Sequence, residues 1–157
     1  MNKNLLKIFF LLFSLFLMIN CSDDQCNQTT ESILKTRMFV SDPSLISGKF
    51  LDSMSVYAPE WTDSIHHVGT SSTDSTDFSL YLSPYSDTTT FILASKSMLD
   101  TVHLFYTRKL ILLSQECGFV THFNIKSFNY TTNNIDSVFL IENEITTDND
   151  GYLQIYF

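Results

Sequence analysis

Tyr152-Leu153-Gln154-Ile155-Tyr156-Phe157, YLQIYF, alternates without a break. Leu153, Ile155 and Phe157 fall on one side, Tyr152, Gln154 and Tyr156 on the other. A period of two belongs to a strand with one buried face, because successive side chains of extended backbone point to opposite sides. The same period recurs in Phe78, Leu80 and Leu82, and in Phe119, Thr121, Phe123 and Ile125. Apolar segments elsewhere are short, β-branched or aromatic, and separated by clusters of Asp, Ser, Thr and Asn. Strands are therefore expected over 33–40, 51–58, 77–83, 89–95, 101–114, 119–128, 135–145 and 152–157. Ser and Thr make up 37 of 157 residues, with only four Gly and three Pro, and nothing beyond residue 20 shows a helical period. The expected fold is all-β, an antiparallel immunoglobulin-like β-sandwich of about seven to eight strands. Asp148-Asn149-Asp150-Gly151 is expected to form a tight hairpin turn between the last two strands.

Residues 1–20 have another character. Lys3 and Lys7 precede the run Ile8–Ile19, twelve residues long, which suits a signal peptide and falls short of the ~20 needed to span a bilayer. Met18 and Asn20 are poor residues for ordinary signal cleavage. A cysteine directly after the run instead matches a bacterial lipobox, although Asn20 stands where Gly, Ala or Ser is usual. Cys21 is thus the expected lipidated residue, and residues 21–32 a lipidated N-terminus and tether ahead of a single domain at 33–157. Ser22, Asp23 and Asp24 resemble the acidic export signal that sends lipoproteins of Bacteroidetes to the outer face of the outer membrane.

The chain carries nine basic against 17 acidic residues, a formal net charge of −8, and the leader accounts for two of the bases. Such a balance argues against nucleic acid as a partner and against electrostatic docking on anionic lipid. With Cys21 lipidated, Cys26 and Cys117 remain. In an oxidising compartment this pair is expected to form a disulfide rather than hold a metal. The closed loop is worth ~4–5 kcal/mol in the chain-entropy model.

No pattern reaches a catalytic signature. A Gly-rich phosphate loop and a G-x-S-x-G elbow are both missing from the sequence. His66 and His67 are adjacent, while His103 and His122 sit singly on separate strands, so no metal site and no cofactor are expected. Asp148, Asp150, Glu142 and Glu144 offer oxygens, but a loop tip and a solvent-facing strand edge explain them without calcium. Trp61, near Tyr57, Pro59 and His66, could stack on sugar; core packing is the plainer reading. The tripeptide Asp-[Ser/Thr]-[apolar or Thr] occurs six times, placing Ser53, Ser64, Ser75, Thr88, Thr101 and Ser137 as candidate O-glycosylation acceptors. It resembles the signal used on exported proteins of Bacteroidetes. A turn aspartate before a β-former produces the same pattern wherever a strand begins.

Cys21 and Cys26, Leu80-Tyr81-Leu82, Tyr106, Glu116-Cys117-Gly118-Phe119 and the alternation at 152–157 together resemble a family of small uncharacterised Bacteroidetes lipoproteins containing a domain of unknown function. Thr30-Glu31 and Leu82-Ser83-Pro84-Tyr85 depart from its pattern at two turns. The resemblance implies anchor and location and no activity. The expectation is a non-enzymatic, lipid-anchored module on the outer membrane, facing the cell surface or alternatively the periplasm. It would meet the membrane through its lipid and an envelope protein or glycan through its fold. A purely structural envelope component is the alternative, and a secreted enzyme a more distant one.

Overall fold

The computed structural model describes residues 26–40, 54–59, 66–67, 75–95 and 98–157. The leader, Cys21, Ser22, Asp23, Asp24, Ser53, Trp61 and Ser64 lie outside the described residues, as do the expectations attached to them. Among the described residues ten strands are formed: β1 Leu34–Phe39, β2 Ser55–Tyr57, β3 His66–His67, β4 Ser75–Leu80, β5 Thr88–Ser95, β6 Met98–Ser114, β7 Gly118–Tyr130, β8 Ser137–Glu142, β9 Glu144–Ile145 and β10 Gly151–Tyr156. No helix occurs among the described residues. The fold is an all-β sandwich of two sheets, one ordered β4-β1-β10-β8 and the other β3-β2-β5-β6-β7-β9.

Alternation decides which faces meet. Along β5, Thr89, Phe91, Leu93 and Ser95 are buried and the residues between them are not. The six-stranded sheet contributes Phe91, Leu93, Val102, Leu104, Tyr106, Phe123 and Ile125 to the shared core. The four-stranded sheet answers with Leu34, Met38, Leu80, Val138, Leu153 and Ile155. Each such side chain contributes about 1.5–3 kcal/mol relative to leaving it in water. That burial, summed over two interleaved faces, holds the sheets together.

Tyr106 carries a polar handle into this core and satisfies it in a closed ring. Ser83 N–H donates to Thr89 Oγ1 (3.1 Å), the Thr89 hydroxyl meets Tyr106 Oη (2.6 Å), and Tyr106 donates to the Ser83 carbonyl (3.1 Å). Since Tyr106 gives its proton to the carbonyl, Thr89 is the donor in the middle link. The Tyr106 ring also meets Phe123 edge to face, with centroids 5.4 Å apart.

Three features differ from the sequence reading. First, β1 pairs with β10 in parallel, Leu34 opposite Gly151 through Phe39 opposite Tyr156, whereas every other ladder among the described residues is antiparallel. Parallel neighbours need a long connection, and nearly the whole domain lies between these two strands.

Second, the single strand expected over 135–145 breaks at Asn143. β8 pairs with β10, and β9 pairs with β7. Asn143 is the corner at which the chain leaves one sheet for the other, as strands that switch sheets do at bends. Its carbonyl accepts the Ile125 N–H at 2.9 Å, and the Glu142 carboxylate accepts the Glu144 N–H at 3.1 Å.

Third, Asp148–Gly151 is not a hairpin turn, because β9 and β10 belong to different sheets. It is a second inter-sheet corner, closed by Thr146: its N–H donates to the Asn149 carbonyl, and its hydroxyl accepts the N–H groups of Asp148 and Asn149. Gly151 is required here for space. A Cβ at this position would stand 2.5 Å from Ile145 Cγ1 and 3.1 Å from Leu34 Cδ1.

Gly151→Ala is therefore expected to cost about 1–3 kcal/mol through overpacking between the sheets. Urea unfolding should show a lower midpoint at unchanged slope. Combining it with Ile145→Ala should cost less than the two single losses added, because the shortened neighbour makes room for the new methyl.

Candidate functional site

The β6–β7 hairpin tip and the segment ahead of β1 meet through the Cys26–Cys117 disulfide, with Cα atoms 4.9 Å apart and a sequence separation of 91. Local sequence shapes the tip. Ser114 Oγ accepts the Cys117 N–H at 3.0 Å, and Gly118 follows with φ +71°, a conformation that L side chains resist. The Glu116 carboxyl is held below the usual carboxylate range by its own backbone N–H and by the Ser114 hydroxyl.

The outer face of the four-stranded sheet is the most distinctive surface. Phe39 stacks on Tyr156 with centroids 4.7 Å apart, and Tyr156 meets Phe139 edge to face at 5.7 Å. Phe139 and Ile141 on the edge strand β8 are 52% and 61% exposed. The row runs across three strands because Phe39 is opposite Tyr156 in the β1–β10 ladder, and Phe139 is opposite Gln154 in the β10–β8 ladder.

Charge borders the row. Arg37 donates to both carboxylate oxygens of Asp77, at 2.5 and 2.7 Å, and Lys35 meets Asp150 at 2.6 Å. An open depression of about 400 Å³ lies beside this pair, lined by Lys35, Thr36, Arg37, Asp77, Phe78, Ser79 and Tyr152. The Arg37 hydrogen bond holds the Asp77 carboxyl below its usual range, and Asp77 in turn raises Arg37. A lowered carboxylate pKa stabilises the fold above the unfolded value near ~4, and that contribution disappears as pH falls through the folded value. Both side chains are largely solvated, so water and salt screen the pair and it adds little to stability. Its geometry matters more: a fixed, two-pronged polar edge beside aromatic rings.

Among the described residues Asp100, 1% exposed, is the one buried acid. Its Oδ1 accepts the Thr131 hydroxyl (2.7 Å) and the Asn133 N–H (3.0 Å). Its Oδ2 accepts the Asn134 N–H (3.1 Å) and the Asn134 side-chain amide (2.8 Å). Four donors converge on one carboxylate, which thereby shapes the 131–136 loop.

This bears on the tripeptides. Asp100 begins one of them and Asp87 another, and Asp87 accepts the Arg108 guanidinium at 2.7 Å. Both aspartates thus have structural work just ahead of, or within, a strand. Among the candidate acceptors, Thr88 is exposed and Ser75, Thr101 and Ser137 are half-buried.

His103 Nδ1 bonds the Thr90 hydroxyl at 2.8 Å, while His122 Nε2 is buried without a hydrogen-bond partner among the described residues. Among the described residues, no group of three or more His, Cys, Asp or Glu is placed to hold a metal ion. The aromatic row was missed from sequence, where Trp61 drew attention instead. Its signal was the second side of the YLQIYF alternation, two tyrosines on the face turned away from the core.

These features define a class: a disulfide-stapled all-β sandwich with an exposed aromatic sheet face. The chain belongs to the family of unknown function DUF6452, whose model matches residues 53–157. No curated protein and no solved structure matches it. The matched region omits Cys26 and β1, although β1 lies inside the four-stranded sheet.

Cys117→Ser is expected to cost about 2–5 kcal/mol of unfolding free energy. Cys26→Ser should cost the same, and the double variant should be no worse than either, because all three remove one bond. Additive losses in chemical denaturation would mean two independent contributions. Asp100→Ala should cost about 2–4 kcal/mol, since it strands several buried donors. Asp100→Asn should recover only part of that loss in thermal melts, because one of its two acceptor atoms becomes a donor.

Proposed function

We propose that this chain is a lipid-anchored outer-membrane lipoprotein of the Bacteroidetes type, facing outward. In this reading it works as a non-enzymatic binding module for an envelope protein or glycan. The signal-like run at 1–20, Cys21 at its end and the acidic Ser22-Asp23-Asp24 support the anchor and the address. The Cys26–Cys117 bond fits the same address, because disulfides persist in oxidising compartments.

One observation carries the binding reading. Phe39, Tyr156 and Phe139 form a contiguous ring row on the solvent side of a sandwich whose core is already filled. Burial inside the fold accounts for Leu153 and Ile155, but not for aromatic and aliphatic side chains turned outward beside them. A contiguous apolar patch rimmed by polar groups marks an interaction surface. Aromatic rings beside a rigid Arg–Asp pair suit a partner with an apolar face and hydroxyl or amide groups at its edge, such as a sugar ring or a peptide strand. Among the described residues β8 is the edge of this sheet, so its outer backbone borders the same surface.

Photo-cross-linking in intact cells tests this directly. A benzoylphenylalanine at Phe139 should capture one discrete partner, while the same residue at exposed Thr107 captures none. Arg37→Ala together with Asp77→Ala should weaken the Phe139 adduct. Equal, diffuse capture from both positions would remove the binding reading. In the same cells, Cys21→Ala should abolish labelling by a clickable fatty acid and release the protein from the membrane fraction.

A further inference from the structure

Beyond Tyr106 and Phe123, the β6–β7 hairpin leaves the sandwich behind. Arg108 is opposite Phe123, Leu110 opposite Thr121 and Leu112 opposite Phe119. Residues directly opposite on an antiparallel ladder share a face, as do residues two apart along a strand. Leu110, Leu112 and Phe119 therefore continue the face on which Tyr106, Phe123 and Ile125 are core. The four-stranded sheet covers the lower part of that face and not the upper. There Leu110 is 64%, Leu112 55% and Phe119 64% exposed.

Connectivity says what lies nearby. The tip of this overhang is bonded to Cys26, and Cys26 stands five residues after Cys21. Five residues of fully extended chain span at most about 18 Å. A lipid on Cys21 would thus hold the hairpin tip within one short tether of the bilayer. The disulfide prevents the sandwich from swinging away on a longer leash through residues 27–33.

We infer that the Leu110–Leu112–Phe119 face of the hairpin lies on the lipid surface that holds Cys21. The inference rests on the lipid anchor proposed above. A second copy of the chain is a poorer occupant, since three side chains fall far short of the ~20–30 residues a side that a stable interface uses. A lipid surface needs no such area. The anchor already supplies the encounter, so a small apolar contact adds to an existing attachment. Apolar side chains of this kind settle ~5–10 Å into the boundary between headgroups and acyl chains.

Charge sets the orientation. Glu116 at the tip stays ionised and favours water, so the hairpin does not enter tip first. Lys109, opposite His122, lies on the reverse face of the ladder, and Arg108, which shares the face of the leucines, is held at its sandwich end by Asp87 and the Pro84 carbonyl. The hairpin lies flat on its apolar side. The staple then has a second task, setting the stance of the domain on the membrane and leaving the aromatic sheet face clear of it.

The test uses the full lipidated chain in vesicles of phosphatidylethanolamine and phosphatidylglycerol, with a fluorescent amino acid at Leu112 or, in a second sample, at Phe139. Acyl-chain-brominated lipids should quench the Leu112 probe and leave the Phe139 probe bright. Cys26→Ser should lower the Leu112 quenching without releasing the protein from vesicles. Vesicles that float with the protein while Leu112 is quenched no more than Phe139 would overturn the lipid contact and leave the anchor standing. Wild type and Cys21→Ala remaining alike in the soluble fraction would instead overturn the anchor, and this inference with it. A Leu112 emission shift that follows protein concentration without brominated lipid would assign the face to a second copy and equally overturn the proposal.

Discussion

β1 lies between β4 and β10, and the four-stranded sheet has no middle without it. Leu34 and Met38, both fully buried, point into the core from this strand, while Lys35, Arg37 and Phe39 face outward. The parallel β1–β10 ladder joins the two ends of the described domain. Such long-range pairing fixes a large loop for each hydrogen bond formed, so it is entropically expensive and must be held by burial or by a covalent constraint. Here it has both. The Cys26–Cys117 bond places the chain just ahead of β1 against the β6–β7 hairpin, and the apolar side of β1 fills the space between the sheets.

From this insertion the outer surface follows. Phe39 reaches Tyr156 only because β1 and β10 run parallel in one register, and Arg37 reaches Asp77 only because β1 also pairs with β4. One strand therefore supplies both the ring and the cation of the candidate site. The core side of the same strand secures the backbone that carries them, so the surface is presented on a rigid sheet rather than on a loop.

The two inter-sheet corners make the sandwich possible at its other side. Asn143 divides one run of sequence between two sheets, and Asp148–Gly151 returns the chain to the first. Each corner is held by specific hydrogen bonds and not by turn propensity alone: the Asn143 carbonyl to Ile125, and Thr146 to Asn149 and Asp148. At the end of the second corner, the absence of a side chain on Gly151 lets Ile145 and Leu34 approach from opposite sheets. The buried Asp100 plays a comparable part for the 131–136 loop that leads into β8.

Strand positions and their buried sides were legible in the residues themselves. Leu153 and Ile155, or Phe123 and Ile125, declare a core face because a period of two can bury only alternate side chains. The pairing of Cys26 with Cys117 was legible by the same kind of local reasoning, from the number of thiols and the compartment the leader implies. Which strands become neighbours was not. Nothing in 135–145 distinguishes one strand from two, since Asn143 is an ordinary polar residue until β7 and β10 compete for its two sides. Nothing in Asp148–Gly151 separates a hairpin from a corner, because the same small polar residues serve both. The aromatic row and the bare hairpin face likewise exist only after register and strand order have been chosen. Alternation is written in the chain one residue at a time, whereas partnership between strands is settled by burial and packing among segments more than a hundred residues apart.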